Sequence, residues 1–340
     1  MVRIRADDVG LPDRSRRVAG PAPFPGMKPL VKAVSNSRVP LRRFDLRPDA
    51  RTVATSGYYS APMTGPLISL LTDFGLTDPS VSACKGVILR IVPDARLLDI
   101  SHGVTRFSIS QGAALLWAAL PHLPAGVHMA VVDPGVGTER RPIALRTGRG
   151  DHLVGPDNGL LLPAAERLGG IVAAHVLEQV AYRLAPVSRT FHGRDIFAPA
   201  AAHIARGVPI DALGPAVDIA SLVRLNLPAP VQAPGFLEAS VVLVDSFGNA
   251  QLLAEPCDLE AAIGPVSSGD RLAVEPADGG RLGDGDSIDL CWRLAYGDAE
   301  AGEPLVCLDS YGRLALAINL GSAAATYGLS SDRRVRIRRS

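Results

Sequence analysis

The chain lacks most of the signatures by which enzymes announce themselves. Its four cysteines, Cys84, Cys257, Cys291 and Cys307, are scattered and form no C-x-x-C pair. Neither a structural zinc site nor a dithiol redox pair is therefore indicated, and a reduced, cytoplasmic protein is expected. No run of eighteen apolar residues occurs, which excludes a helix spanning a membrane. A formal net charge of +1 gives no footprint for a polyanion, so no nucleic-acid partner is expected. There is no G-x-G-x-x-G after a strand, no G-x-x-x-x-G-K-[ST], no H-E-x-x-H and no G-x-S-x-G.

What is present is organised around Val131-Val-Asp-Pro-Gly-Val-Gly-Thr-Glu-Arg-Arg141. The apolar, β-branched run Val127–Val132 reads as a strand. Pro134 has no N–H for a ladder and stops it, and Gly135 and Gly137 allow a tight turn. Asp133 thus stands at the end of a buried strand, where open α/β sheets bind ligands, with Arg140 and Arg141 a few residues on.

Residues 1–66 read differently. They are rich in Arg and Pro, as in Pro21-Ala-Pro-Phe-Pro25 and Arg42-Arg43, without periodicity. Such a segment buries too little to offset its ordering entropy, so disorder is expected. Arg16-Arg17 is followed by no apolar stretch and does not make an export signal. Met63, just ahead of the first strand, is an alternative start. Residues 67–226 then alternate strands and helices, beginning with Leu67–Asp73 and a helix opened by Asp78-Pro79-Ser80. Ser108 and Gln111 have capping-box spacing ahead of another helix. Residues 227–235 form a Pro-rich linker. Residues 236–340 carry short strands broken by Gly, Asp and Ser, the texture of a small all-β barrel or sandwich. The fold class expected is a layered α/β domain followed by a small all-β domain, with the barrel as the working form. No internal repeat is visible.

Polar clusters fall at Asp73–Ser80, Asp133–Arg141 and His192–Asp195, and in two loops of the second domain, Asp245–Asn249 and Asp309–Arg313. Each has an ordinary structural reading. Asp73 suits a ribose diol, although an Asx turn is the commoner fate of an Asp before Phe-Gly, Asp78 is a good N-cap, and His192 is as readily a satisfied core histidine. The remaining histidines read as structural, and Cys84 as core. A metal through Asp73, His102 and Asp133 has no motif spacing behind it. An Asp/Arg/His set without a serine or cysteine partner suggests the handling of water rather than acyl transfer.

Leu71-Thr-Asp-Phe-Gly75, Cys84-Lys-Gly-Val87, Asp99-Ile-Ser-His102, the Val132–Arg141 stretch, Gly155-Pro-Asp-Asn-Gly159, Thr190-Phe-His-Gly-Arg-Asp-Ile-Phe197, Ser246-Phe-Gly-Asn249 and Asn319-Leu-Gly-Ser-Ala-Ala324 occur in that order. Together, from about residue 67 onward, they resemble the S-adenosyl-L-methionine (SAM) hydroxide adenosyltransferase family, relatives of the fluorinase and chlorinase. The resemblance implies hydrolysis of SAM to adenosine and methionine without a cofactor or metal. It assigns Asp133, Arg140 and His192 to the attacking water, and Asp73 to the ribose diol. It assigns Asp78 and Ser80 to the methionine end, and Phe107 to the sugar. Phe247 and Asn249 fall to the adenine, and Ser310 to a further substrate contact. It also implies a homotrimer with sites between subunits. In the halogenating relatives a tyrosine, a threonine and a serine stand where this chain has Asp133, Val136 and Gly193. Tyr311 stands where the fluorinase has an arginine, which leaves the methionine carboxylate contact open. Two other functions remain as alternatives: a halide-using synthase, and a non-catalytic protein that binds an adenosyl ligand.

Overall fold

A computed structural model describes residues 65–340 apart from Leu227 and Asp332. The expectations for residues 1–64, including Met63 as a start, lie outside the described residues. Gly65 and Pro66 already belong to the fold, since the carbonyl of Pro66 accepts from Arg96 N at 2.9 Å.

The first sheet has the order β2-β1-β3-β5-β4-β6. Its strands are β1 Leu67–Thr72, β2 Arg96–Ser101, β3 Val127–Val131, β4 Pro142–Thr147, β5 His152–Pro156 and β6 Ile171–Val176. β2, β1, β3 and β5 run parallel, and β4 is antiparallel to both its neighbours. Every residue of β1 and β3 is buried because side chains on both faces of the sheet are covered. Leu70 and Met129 pack with α1 (Ser80–Ile91) and α4 (Ala198–Ala205). Leu71 and Ala130, one step along each strand, pack with α2 (Ile109–Ala119) and α3 (Leu162–Arg167).

The chain leaves β1 toward β2 on one side and returns through α2 to β3 on the other. The gap above β1 and β3 is thus a topological switch point, where open α/β sheets hold ligands. Asp73 and Asp133 emerge at the carboxyl ends of these two strands.

Seven strands of the second sheet close on themselves in the order β14-β10-β11-β12-β13-β9-β8, with β8 pairing back to β14. They are β8 Phe236–Val244, β9 Ala250–Leu252, β10 Arg271–Pro276, β11 Ile288–Trp292, β12 Pro304–Leu308, β13 Leu314–Ile318 and β14 Arg334–Arg339. The expected barrel is therefore present. Two short helices sit in its connections, α5 Pro256–Ile263 and α6 Ala323–Tyr327. Inside the stretch read as linker, Val231–Ala233 forms β7, an extra edge strand on β8. Pro230 and Pro234 keep it short. At α2 the capping box is half made. Ser108 Oγ accepts from Gln111 N at 3.4 Å, but Gln111 Oε1 accepts from Thr105 N at 2.6 Å instead of reaching back.

The barrel contains a local repeat that the sequence reading did not separate from ordinary turns. Asp245 Oδ1 accepts from Phe247 N and Asn249 N, both at 2.9 Å. Asp309 Oδ1 accepts from Tyr311 N at 2.8 Å and Arg313 N at 2.9 Å. Gly248 and Gly312 both take a φ of 84°, which only glycine adopts without strain. The two Asp-Ser-aromatic-Gly turns join β8 to β9 and β12 to β13, and β9 lies antiparallel to β13. The second turn docks on the chain's own α2, where the buried Arg313 guanidinium stacks 3.6 Å from the Trp117 ring centroid. The first turn leaves Phe247 77% exposed.

Candidate active site

At the switch point lies a cavity of about 230 Å³, lined by Asp73, Arg106, Phe107, Asp133, His192 and Gly193 together with Phe74, Val131, Val136, Thr190 and Phe191. Asp133 follows β3. Arg140 returns from the Gly-rich turn and grips it, with Nε donating to Asp133 Oδ1 at 2.9 Å and Nη2 donating to Oδ2. Both side chains are largely buried, and a fork of two charge-assisted bonds fixes the carboxylate plane. The turn is packed too tightly for side chains at its glycines. A Cβ on Gly137, whose φ is 77°, would lie 2.4 Å from the Arg189 carbonyl oxygen.

Arg140 Nη2 also lies 3.0 Å from His192 Nδ1. A guanidinium only donates, so Nδ1 accepts and the ring is the neutral Nε2–H tautomer. Burial, and next the Arg140 charge, push the His192 pKa below its ordinary value, consistent with a neutral ring. The guanidinium also sits 5.0 Å from the Phe197 ring centroid. Its Nη1 is buried without a hydrogen-bond partner among the described residues. His192 opens a π-helical turn, Gly193–Phe197, that runs into α4. Such turns are uncommon and concentrate at functional sites.

Asp73 does not make the local Asx turn that was its ordinary reading. Its Oδ2 accepts from Phe107 N at 2.9 Å, thirty-four residues away. Phe107 has a φ of 67°, rare for an aromatic residue, and its ring is 68% exposed. The carboxylate of Asp73 thus holds a strained backbone that presents an aromatic face at the cavity mouth.

The remaining expected residues lie elsewhere in the chain. Asp78 and Ser80 stand at the start of α1, but the N-cap position falls on Pro79, one residue later than expected, because the first helical bond runs from Ala83 N to the Pro79 carbonyl; Asp78 Oδ1 accepts from Ser80 N at 2.8 Å from just outside the cap. Phe247 and Asn249 line a separate cavity of about 490 Å³ with Leu320 and Tyr296. Asn249 Nδ2 donates to Asp245 Oδ2 at 2.9 Å, which leaves its Oδ1 to accept from a ligand. Ser310 lines a third groove, between the barrel and α2. Sequence reasoning missed Phe74, Arg106, Thr190 and Phe191 as cavity residues. Their only signal was adjacency to Asp73, Phe107 and His192.

A second polar constellation looks catalytic and is not placed to act. Ser69 Oγ lies 2.7 Å from His128 Nδ1, and His128 Nε2 lies 3.0 Å from Asp151 Oδ1. The residue types are those of a hydrolytic triad, but the two ring nitrogens are exchanged, with the serine on Nδ1 and the acid on Nε2. All three residues are fully buried between strands, so no substrate reaches the serine. His102 is likewise held, with Nδ1 2.8 Å from Thr72 Oγ1; its Nε2 lies 3.1 Å from Asp99 Oδ1 but makes no hydrogen bond among the described residues.

The space beside Gly193 is already taken. A Cβ there would lie 2.9 Å from Phe74 Cζ, and that ring is wedged edge-on against Phe191 with centroids 5.8 Å apart. Gly193→Ser is expected to force the ring aside and to cost about 1–3 kcal/mol of stability, the usual penalty of overpacking. A thermal melt unchanged from the parent would contradict this.

Two family models, drawn for the two halves of one kind of enzyme, match the two sheets in turn. The SAM hydroxide adenosyltransferase N-terminal domain matches residues 68–214, and the C-terminal domain matches residues 239–336. The chain belongs to the SAM hydroxide adenosyltransferase family. It is 47% identical to a protein of Salinispora tropica named (R)-S-adenosyl-L-methionine hydrolase, across 80% of this chain and 97% of that one. A protein of the same name from Thermus thermophilus is 39% identical across 79% and 98%. A fluorinase from an Actinoplanes species is 29% identical across 80% and 97%. A crystal structure of an uncharacterized conserved protein from Thermotoga maritima superposes with a TM-score of 0.72 at 35% identity, covering 79% of this chain and 99% of that one.

Proposed function

We propose that this enzyme hydrolyses S-adenosyl-L-methionine to adenosine and L-methionine by direct attack of water on C5′ of the adenosyl group. The observation that carries the reading is the Asp133–Arg140–His192 set at the switch-point cavity, beside Asp73. Identity of 39–47% to proteins named (R)-S-adenosyl-L-methionine hydrolase supports the same substrate, in the (R) configuration at sulfur.

The chemistry needs little from the protein beyond placement. The sulfonium is already a good leaving group, so no strong acid is required. The water oxygen bonds to C5′ as the C5′–S bond breaks, its electron pair returns to sulfur, and the released proton passes to Asp133. Holding the water in line contributes about 7–11 kcal/mol, and proton acceptance by a positioned base roughly 10²–10⁴-fold. Arg140 fixes the Asp133 carboxylate and sets the His192 tautomer, leaving Nε2–H as a donor. The buried Nη1 of Arg140 offers one more donor for an oxygen. Asp73 takes the ribose diol, Phe107 covers the sugar, and Phe247 and Asn249 take the adenine. Asp78 and Ser80 serve the methionine half, and Ser310 makes a further substrate contact. Neither metal nor cofactor is required by this scheme.

The working assembly is a cytoplasmic homotrimer, with each site between the first domain of one subunit and the barrel of its neighbour. Two features support a shared site. The triad cavity, at about 230 Å³, is smaller than the roughly 300–1,000 Å³ of pockets for ligands of this size. The adenine residues line a different cavity of the same chain.

A halide-using synthase is disfavoured, because the Phe74 ring occupies the space a serine at position 193 would need. A single turnover in ¹⁸O-water, with each sulfonium epimer supplied separately, is expected to give adenosine fully labelled at the 5′-oxygen from the (R) epimer. Added fluoride or chloride should give no halogenated nucleoside. Unlabelled adenosine would overturn direct attack, and no adenosine from either epimer would leave only the ligand-binding reading.

A further inference from the structure

The methionine half of the substrate carries an ammonium and a carboxylate, so a site selective for it must present an acid and a base at the right separation. The acid is available at Asp78. Resting on the hydrolase reading, we propose that Arg106 binds the substrate's carboxylate and makes the enzyme selective for a zwitterionic amino-acid tail.

Four observations converge on this residue. Among the described residues lining the triad cavity, Arg106 is the only lysine or arginine. Its side chain is exposed and makes no ion pair or hydrogen bond with any described residue, so its donors are free. Its backbone is held in place, because the next residue, Phe107, donates its N–H to Asp73 Oδ2 at 2.9 Å. The following turn is closed by Ser108 N donating to the Thr105 carbonyl at 2.9 Å. The carboxylate proposed to grip the ribose therefore also fixes the segment that carries the guanidinium. Finally, Arg106 and Asp78 sense each other. Hydrogen bonds from Ser80 are the larger cause holding the Asp78 carboxyl below its usual range, and the Arg106 charge adds to them.

The two side chains thus form an acid and a base that act on each other through space without closing an ion pair on themselves. An amino acid headgroup completes such a pair, with its ammonium toward Asp78 and its carboxylate toward the planar fork of Arg106. Tyr311, which offers only a phenol, lies in other grooves, 6.1 Å from the His122 ring by centroid. It is not placed to share this task in the same chain.

The test compares two substrates: SAM and decarboxylated SAM, which keeps the sulfonium, the adenosine and the ammonium but has no carboxylate. Removing a charge-assisted hydrogen bond is expected to cost about 10- to 100-fold. In Arg106→Gln the ratio of kcat/KM for SAM to that for decarboxylated SAM should fall by about that factor. Arg106→Lys should recover part of the ratio, since it keeps the charge and loses the fork. A merely structural role would lower both substrates together and leave the ratio unchanged, and that result would overturn the assignment. With the (R) epimers used throughout, failure of the parent enzyme to form adenosine from SAM would overturn the hydrolase reading itself. Parent activity with an unchanged ratio in Arg106→Gln overturns only the role of Arg106.

Discussion

Asp133→Asn is expected to lower kcat for SAM by roughly 10²–10⁴-fold while leaving substrate affinity within a few-fold of the parent. Both oxygens of Asp133 are committed to Arg140, through Nε at 2.9 Å and through Nη2. Asparagine keeps one acceptor and turns an NH₂ group toward a guanidinium that can only donate. It also removes the anion that takes up the proton as the new alcohol forms. That interaction grows along the reaction coordinate and is nearly absent when substrate first binds, so its loss appears in kcat. The fold should survive, because Arg140 retains one bond to residue 133, its contact with His192 Nδ1 at 3.0 Å and its place over Phe197. Asp133→Ala is a harsher change. Breaking a buried pair by deleting one partner leaves an uncompensated charge and costs about 3–5 kcal/mol. Single-turnover rates with calorimetric SAM affinities decide the matter. An Asn variant with parental kcat and weakened binding would move Asp133 from the reacting water to ground-state binding.

Much of this arrangement was legible beforehand, for reasons that can be named. Runs such as Leu67–Thr72 and Val127–Val131 are apolar on both faces, which marks them as parallel strands, and an acid at the end of each marks the ligand edge. Most barrel strands were legible as short runs broken by Gly, Asp and Ser, but β9, only three residues long, was not. Less visible were features set by tertiary contact. The strand β7 is three residues between prolines, too short for any periodicity. Helix α5 follows Glu255-Pro256, a start signal overshadowed by the surrounding strands; its capping box pairs Glu255 N with Asp258 Oδ2 at 2.8 Å. The bond from Asp73 to Phe107 spans two elements and has no local signature. The same holds for the Ser69–His128–Asp151 chain, which depends on β1 and β3 aligning Ser69 with His128. The barrel's repeated turn was hidden because Asp-Ser-Phe-Gly and Asp-Ser-Tyr-Gly look like ordinary turn punctuation. Their kinship lies in which N–H groups the aspartate accepts. The site was least legible where its proposed parts lie in separate cavities. Nothing local links Phe247 and Asn249 to Asp73.

That last separation leads to the other large effect. Asp73→Ala and Asn249→Ala proteins, each nearly inactive alone, are expected to regain activity when their subunits are mixed and allowed to exchange. Asp73 lines the cavity at the end of β1, and Asn249 lines another at the end of the barrel, with no lining residue in common. Each is lined by unusually exposed apolar side chains: Phe107 at 68% on the first domain, Phe247 at 77% and Leu320 at 90% on the barrel. Exposed aliphatic and aromatic groups clustered at two incomplete sites are what a subunit interface covers. In a cyclic trimer each site draws its first domain from one subunit and its barrel from the next. With random mixing of equal amounts, about a quarter of sites join an intact Asp73 to an intact Asn249, which sets the ceiling on recovery. Another quarter carry both lesions and stay silent, and the remainder carry one. Activity should therefore rise from near the background to at most about 25% of the parent after exchange, with no change before it. Exchange is verified by mass spectrometry of mixed trimers carrying two different tags. Verified exchange without recovery would mean that each site is built within one chain, and that the barrel cavity around Asn249 serves something other than the adenine bound beside Asp73.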